Sequence, residues 1–274
     1  MTDSSSSPQK SGLMLRIISA LVMLPIAVFI ILQGGLTFSL FVAALTVLIL
    51  YEWNGICEEK AFNLAFTVQS LLALAVIYSL YQKQFLGFYA YGGLIGLLLV
   101  ISLYKKYKVG FVLLGVVYAL LPAVSLIWIR HIFDDGGWIV LWTMIIVWSM
   151  DTGAYFAGKN IGGPKMAPKI SPNKTWSGLI GGAVTAMILG FVAAHYFNLA
   201  VYGPLWHWMT LMPIAGALAI WSQIGDLAES GLKRHFKIKD SGAIIPGHGG
   251  IMDRVDGVVF AAPAMAIFLY IVGA

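Results

Sequence analysis

The sequence predicts an all-α integral membrane protein, a polytopic bundle of about nine transmembrane helices with its N-terminus inside and its C-terminus outside. Three observations predict it. The 274-residue chain is 59% apolar and only 11% charged, whereas a soluble domain carries about 45–50% apolar and about 25% charged residues. Its apolar residues fall in runs long enough to cross a hydrocarbon core of about 30 Å, which takes roughly 20 helical residues. Its cations gather on one side of those runs.

Taken in order, residues 1–12 form a serine-rich polar tail whose composition favours disorder. Spans follow at 13–32, 36–51, 64–81, 85–104, 109–129, 138–156, 177–197, 205–228 and 257–273, the second being the shortest. The first run has no small-residue cleavage site and leads through Gly34 and Gly35 directly into the next, so it reads as a retained span. With the N-terminus inside, only Lys83 and Arg130 of the 17 basic residues lie outside, an asymmetry that sets orientation. The net charge of +5 is therefore read as topology and not as a nucleic-acid surface, since no basic stripe with interleaved aromatics lies between the spans. Trp53, Trp128, Trp138, Trp206 and Trp208 fall near span ends, where indole anchors at the interface. The single cysteine, Cys57, excludes an intramolecular disulfide and any CxxC site.

Two regions differ in their loops. Residues 13–137 hold about five spans joined by short, plain connections. Residues 138–274 hold about four, with two long inner segments at 157–176 and 229–256 that are rich in Gly, Pro, Lys and Asp. Loops of that length with such chemistry are where function is expected.

Six of the twelve acids lie in this second region: Asp151, Asp226, Glu229, Asp240, Asp253 and Asp256. Asp226 sits at the inner end of the eighth span. Asp253 and Asp256 are three apart, so a ninth helix starting one turn early would put both on one face. Asp226, Asp253 and Asp256 together offer the hard oxygen donors that Mg²⁺ takes; read structurally, Asp253 caps that helix and Asp256 pairs with Arg254 or Lys239. Around them lie Lys233, Arg234, Lys237 and Lys239, the glycines Gly247, Gly249 and Gly250, and the earlier loop with Lys169 and Lys174. Such lysines can be a collar facing anionic lipid. Cations interleaved with acids and glycines fit a metal-chelated polyphosphate better. Asp151 lies inside the sixth span and reads either as part of a polar pocket or as a structural hydrogen-bonding group, with Thr152, Gly153 and Ala154 allowing close helix packing. His248 reads as a phosphate ligand or as a backbone-bonded loop residue.

The stretch Ser230–Asp256, SGLKRHFKIKDSGAIIPGHGGIMDRVD, resembles the signature of the phosphatidate cytidylyltransferases, or CDP-diacylglycerol synthases. DTGAYFAGK from Asp151, SPNKTWSG from Ser171 and GDLAES from Gly225 are similar to further family segments. One departure is Ser177, where the family pattern leads us to expect a glutamate. The resemblance implies an inner-membrane enzyme, its site facing the cytoplasm, that joins CTP and phosphatidate into CDP-diacylglycerol and pyrophosphate. It also implies Mg²⁺, with a second, monovalent, cation as a further expectation. Carried over by position, Asp226, Asp253 and Asp256 are expected to hold metal. Lys239 joins them in catalysis, and Lys174, Ser230, Lys233, Arg234, His248, Gly249, Gly250 and Arg254 are expected to bind substrate. Membrane lipid is the surrounding partner, nucleic acid is not one, and glycine-bearing spans are compatible with a homodimer. Two other readings share these features. A membrane lipid kinase would transfer the γ-phosphoryl group, and an ion-coupled transporter would use Asp151 and Asp226 within the bundle, although no internal repeat of the transporter kind is visible.

Overall fold

The computed structural model of the chain describes residues 8–83, 88–132, 136–199, 207–245 and 249–272. Among these, the elements in order are α1 (Pro8–Gln33), α2 (Gly35–Glu58), α3 (Leu64–Tyr81), α4 (Phe88–Tyr104), α5 (Val109–Ile132), α6 (Gly136–Asn160), β1 (Lys165–Ala167), β2 (Ser171–Thr175), α7 (Trp176–Tyr196), α8 (Trp208–His235) and α9 (Met252–Ile271). The protein is an all-α polytopic membrane protein. Seven of the described helices, α2, α3 and α5–α9, are long and apolar enough to cross a bilayer. Two shorter apolar stretches, Leu21–Gln33 of α1 and Tyr89–Tyr104 of α4, accompany them.

Local chemistry sets the helix ends. Gly34 takes φ +68°, a left-handed turn open to glycine, and there the Arg130 guanidinium donates to Ile31 O (3.1 Å) and Leu32 O (3.2 Å), satisfying carbonyls at the end of α1. Asn63 Oδ1 accepts from Phe66 N at 2.8 Å to start α3, and Thr175 Oγ1 accepts from Gly178 N at 3.1 Å to start α7. Three helices depart usefully from expectation. α2 is no short span: it runs on past Tyr51 to Glu58. α8 continues to His235 and α9 starts early, at Met252, so both ends of one long loop are helix. The other long segment folds into an antiparallel hairpin, Lys165 opposite Thr175 and Ala167 opposite Ser171, closed by a Ser177 Oγ bond to Gly162 O. Residues 8–12 of the expected tail belong to α1.

Most of the buried core gathers around α6. Its Trp142 is fully buried and donates from Nε1 to Gly190 O of α7 at 2.7 Å. Small residues let these two helices nearly touch: a Cβ on Gly153 would lie 2.5 Å from Thr185 Oγ1, and one on Gly182 would lie 2.7 Å from Met150 O. Trp53 is no interfacial anchor. It is 2% exposed, packs on Tyr118 and donates to Phe111 O at 2.8 Å, tying α2 to α5. Its neighbour Asn54 donates to Gln69 Oε1 (2.6 Å), and Gln69 Nε2 to Val112 O (2.7 Å), so a buried polar chain joins α2, α3 and α5. Trp206 lies outside the described residues.

Candidate active site

α8 carries Asp226, Glu229, Ser230 and Lys233 at helical spacing, so all four share one face. That face meets the first turns of α9. The helices approach because position 225 has no side chain: a Cβ on Gly225 would sit 2.6 Å from Asp256 O. Lys233 Nζ bridges the pair, lying 2.5 Å from Asp253 Oδ1 and 3.4 Å from Glu229 Oε1. The hairpin delivers Lys174, whose Nζ lies 2.5 Å from Asp226 Oδ2, while Ser230 Oγ donates to Asp226 Oδ1 at 3.3 Å. Asp256 lies in the field of Asp226, Glu229 and Asp151, and Asp151 in that of Asp226, Lys174 and Arg254. Residues from α6, the hairpin, α8 and α9 thus share one site.

Asp253 and Asp256 begin on one helical face but serve differently. Asp253 Oδ2 accepts from Ser241 N and Gly250 N at 3.0 Å each and lies 2.9 Å from Ser241 Oγ, while its Oδ1 meets Lys233. Both oxygens are engaged, and they hold the segment between α8 and α9. The half-buried Asp256 accepts from Gly257 N at 2.9 Å on Oδ1. Glu229 is 1% exposed, and apart from the Lys233 ammonium neither carboxylate oxygen has a partner among the described residues. The Tyr118 hydroxyl on α5, also buried and without a hydrogen-bond partner there, stands in the field of Glu229, Asp256, Asp226 and Asp253.

The remaining expected residues take several places. Arg234 is exposed and donates to Ile170 O (3.3 Å) and Ile238 O (3.2 Å), bracing the hairpin against the end of α8. Lys239 and Asp240 are exposed on the segment after α8, and Arg254 is exposed on α9. Gly249 takes φ +84°, and its carbonyl accepts from Ile245 N at 3.0 Å, closing a turn whose next N–H, that of Gly250, points at Asp253. His248 lies outside the described residues.

Sequence reasoning missed one residue. Glu52 on α2 is 2% exposed and accepts from Ile251 N and Met252 N at 2.8 Å each, with Ser241 Oγ at 2.9 Å. A carboxylate from the N-terminal region therefore caps α9 and clamps the same segment that Asp253 holds from the other side. The signal was present: an acid inside an apolar run is costly and stays there only with partners. Ending the second span at Tyr51 left Glu52 in a loop.

Charge and donor type bear on a metal. Five carboxylates, of Asp151, Asp226, Glu229, Asp253 and Asp256, face three cations, of Lys174, Lys233 and Arg254. Their hard carboxylate oxygens fit a divalent cation. Among the described residues no three such side chains already close on one point. Mg²⁺ does not require that, since it is usually bound through one or two carboxylates with phosphates and water completing the shell.

Comparison with known proteins agrees with this chemistry. A family model described as the cytidylyltransferase family matches residues 14–272. A protein of Brucella suis biovar 1 named phosphatidate cytidylyltransferase is 40% identical over 262 residues, 94% of this chain and 93% of its own. Two proteins of the same name align over about half of each chain: that of Bacillus subtilis is 44% identical over 142 residues, 52% of this chain and 49% of its own, and that of Haemophilus influenzae is 42% identical over 137 residues, 50% and 47%.

Proposed function

The chain belongs to the cytidylyltransferase family, and from that premise we propose that it transfers the cytidylyl group of CTP to phosphatidate, giving CDP-diacylglycerol and pyrophosphate. A phosphate oxygen of phosphatidate attacks the α-phosphorus of CTP in line. The new P–O bond forms as the bond to the β-phosphate breaks, and pyrophosphate leaves with the electron pair. A phosphate monoester has a second pKa of about 6 and is mostly dianionic at neutral pH, so no strong base is required. The barrier lies in bringing anions together and in the charge that builds on the leaving group.

The chain's own residues answer both. Lys174 and Lys233 stand among the acids on short ion pairs and can exchange carboxylate for phosphate. Ser230 orients Asp226, and Arg234 fixes the hairpin that carries Lys174. Gly249 and Gly250 shape the turn beside the site, and the exposed Lys239 and Arg254 add positive charge on the segment after α8 and the start of α9; the substrate-binding share expected of His248 rests on the resemblance. Mg²⁺ is the cofactor of this reading, and it would supply neutralisation of the triphosphate. Asp226 and Asp256 would hold it; Asp253, third of the expected set, spends its oxygens on Lys233, Ser241 and Gly250, which supports a bracing share. The protein sits in the inner membrane with nine spans, N-in and C-out, the site at the cytoplasmic rim. The asymmetry of the lysines and arginines and the lengths of α1 (26 residues) and α4 (17 residues) support that arrangement.

The observation that carries the reading is the meeting of carboxylates and lysines from α6, the hairpin, α8 and α9 in one place. Its test is label transfer: purified protein with CTP labelled at the α-phosphate puts label into organic-phase lipid only with phosphatidate and Mg²⁺. Label from the γ-phosphate entering lipid instead would establish a kinase and end this reading.

A further inference from the structure

The last turns of α6 read Asp151-Thr152-Gly153-Ala154-Tyr155-Phe156-Ala157-Gly158-Lys159, and α7 covers one side of them. Gly153 and Ala154 pack against Gly182, Ala157 against Gly181, and Gly158 against Thr175 and Gly178. Asp151, Tyr155 and Lys159 follow at intervals of four on the adjoining face, which α7 leaves open. All three are exposed, Tyr155 at 60%.

Among the described residues the other acids of the centre are engaged: Asp226 with Lys174 and Ser230, Glu229 with Lys233, Asp253 with Lys233 and two backbone amides, and Asp256 with Gly257 N. The Asp151 carboxylate has no hydrogen bond or ion pair among them, although it stands in the field of Asp226 and Lys174. An acid carried inside a span faces a wet cavity or a partner, not lipid. Tyr155, one turn further along the same face, therefore looks into the mouth of the site. Phe156, turned about 100° away, is the residue placed to anchor at the interface. The Tyr155 ring is held but not covered. Lys159 Nζ lies 5.5 Å from its centroid and 3.4 Å from its hydroxyl, and Phe156 meets it edge-on at 5.4 Å.

An acceptor-only carboxylate and an open aromatic plane thus stand about 6 Å apart along α6. Cytosine complements both, with a π-face and an exocyclic amine that only donates. Uracil carries a carbonyl oxygen at that position, which a carboxylate repels. Resting on the cytidylyltransfer reading, we propose that Asp151 and Tyr155 form the base site for CTP, Tyr155 stacking on cytosine and Asp151 accepting from its exocyclic amine. Asp226 and Lys174 are the charged neighbours of Asp151, so a base held there keeps its triphosphate beside the acids and lysines of the centre.

The test uses the intact protein in lipid nanodiscs with Mg²⁺. Irradiation with 5-iodo-CTP should place an adduct on Tyr155 that CTP competes away at lower concentration than UTP does. An adduct map without Tyr155, or equal competition by the two nucleotides, overturns the proposal. A second arm measures α-label transfer to phosphatidate from CTP and from UTP. In Asp151→Asn, whose amide can also donate to a carbonyl, the ratio of kcat/KM for CTP over UTP should fall about tenfold or more. An unchanged ratio would make Asp151 only a charge partner of the lysine and overturn its assignment. Tyr155→Ala should raise KM for CTP about tenfold, and Tyr155→Phe should recover most of that loss; equal effects of the two variants overturn the stacking role. If a variant does not fold, the adduct map of the parent decides. Failure of the cytidylyltransfer reading looks different: the parent itself then moves no α-label from CTP to lipid, whereas a failed base site leaves that transfer intact with adducts elsewhere.

Discussion

Glu52 and Asp256 are carboxylates of opposite use. Glu52 accepts from two backbone amides and lies against a serine hydroxyl, all within 2.9 Å, so its bonding capacity goes into holding α9. Asp256 accepts from Gly257 N and otherwise faces other acids. Glu52→Ala strands those donors at about 1–3 kcal/mol each. Thermal denaturation in detergent should show a clear loss of stability, with activity falling alongside, and Glu52→Gln should be the milder change because its carbonyl keeps part of the bonding. Asp256→Asn keeps the shape of a side chain that makes a single backbone bond and should melt no lower than the parent. Its CTP-dependent lipid labelling should nevertheless fall roughly a thousandfold or more; near-parental turnover in the purified variant would defeat the metal assignment. The residue scale also shows what a departure from the family pattern does. Ser177, where a glutamate was expected, spends its hydroxyl on the Gly162 carbonyl and closes the hairpin bearing Lys174.

Among the elements, the contact between α8 and α9 sets the geometry of the site. Backbone of one helix passes side-chain-free backbone of the other at Gly225, and the acids on either side come within reach through that approach. Gly225→Val should push the helices apart and lower kcat about a hundredfold, the usual cost of a misplacement of about 1 Å, while the protein still inserts and elutes as the parent does. Normal turnover in Gly225→Val would show that the approach is not required. Much at this scale was legible beforehand. Apolar length set α3 at 64–81, the same bounds observed, whereas α9 begins at Met252, ahead of the expected 257, an early start that entered only as the condition for Asp253 and Asp256 to share a face. The hairpin was not legible, because three- and five-residue strands of Lys, Pro, Ser and Asn carry no apolar alternation. Nor was the continuation of α8 to His235, since its last turn is polar and leaves the hydropathy signal while keeping its backbone bonds.

For the whole molecule, the expected division at residue 137 is bridged by side chains. Glu52 reaches the segment between α8 and α9, and Lys108, ahead of α5, stacks on Phe236 at 4.6 Å while donating to Cys57 O at 3.0 Å. The N-terminal helices therefore cannot be removed without loosening the site. Topology can be checked with single cysteines placed at the exposed positions Lys165 and Ala243 after replacement of Cys57. An impermeant maleimide should label both from the cytoplasmic face only, and labelling from opposite faces would dismantle the site. Metal removal belongs to this scale too. On the proposed role of Mg²⁺ in neutralising the triphosphate, EDTA should abolish label transfer and added Mg²⁺ should restore it, with the helix content unchanged by circular dichroism.

By itself the sequence determined the solvent of this protein and located most of its apolar helices. Those follow from composition and local periodicity, which act over one or two helical turns. Tertiary structure alone decided which donors reach each acid. Asp226 pairs with Lys174 across 52 residues, Asp253 is consumed by Lys233, Ser241 and Gly250, and Glu52 caps a helix that begins 200 residues later. A carboxylate reads the same in every sequence; its role depends on which donors reach it, and those come from helices whose order in space the local pattern does not encode.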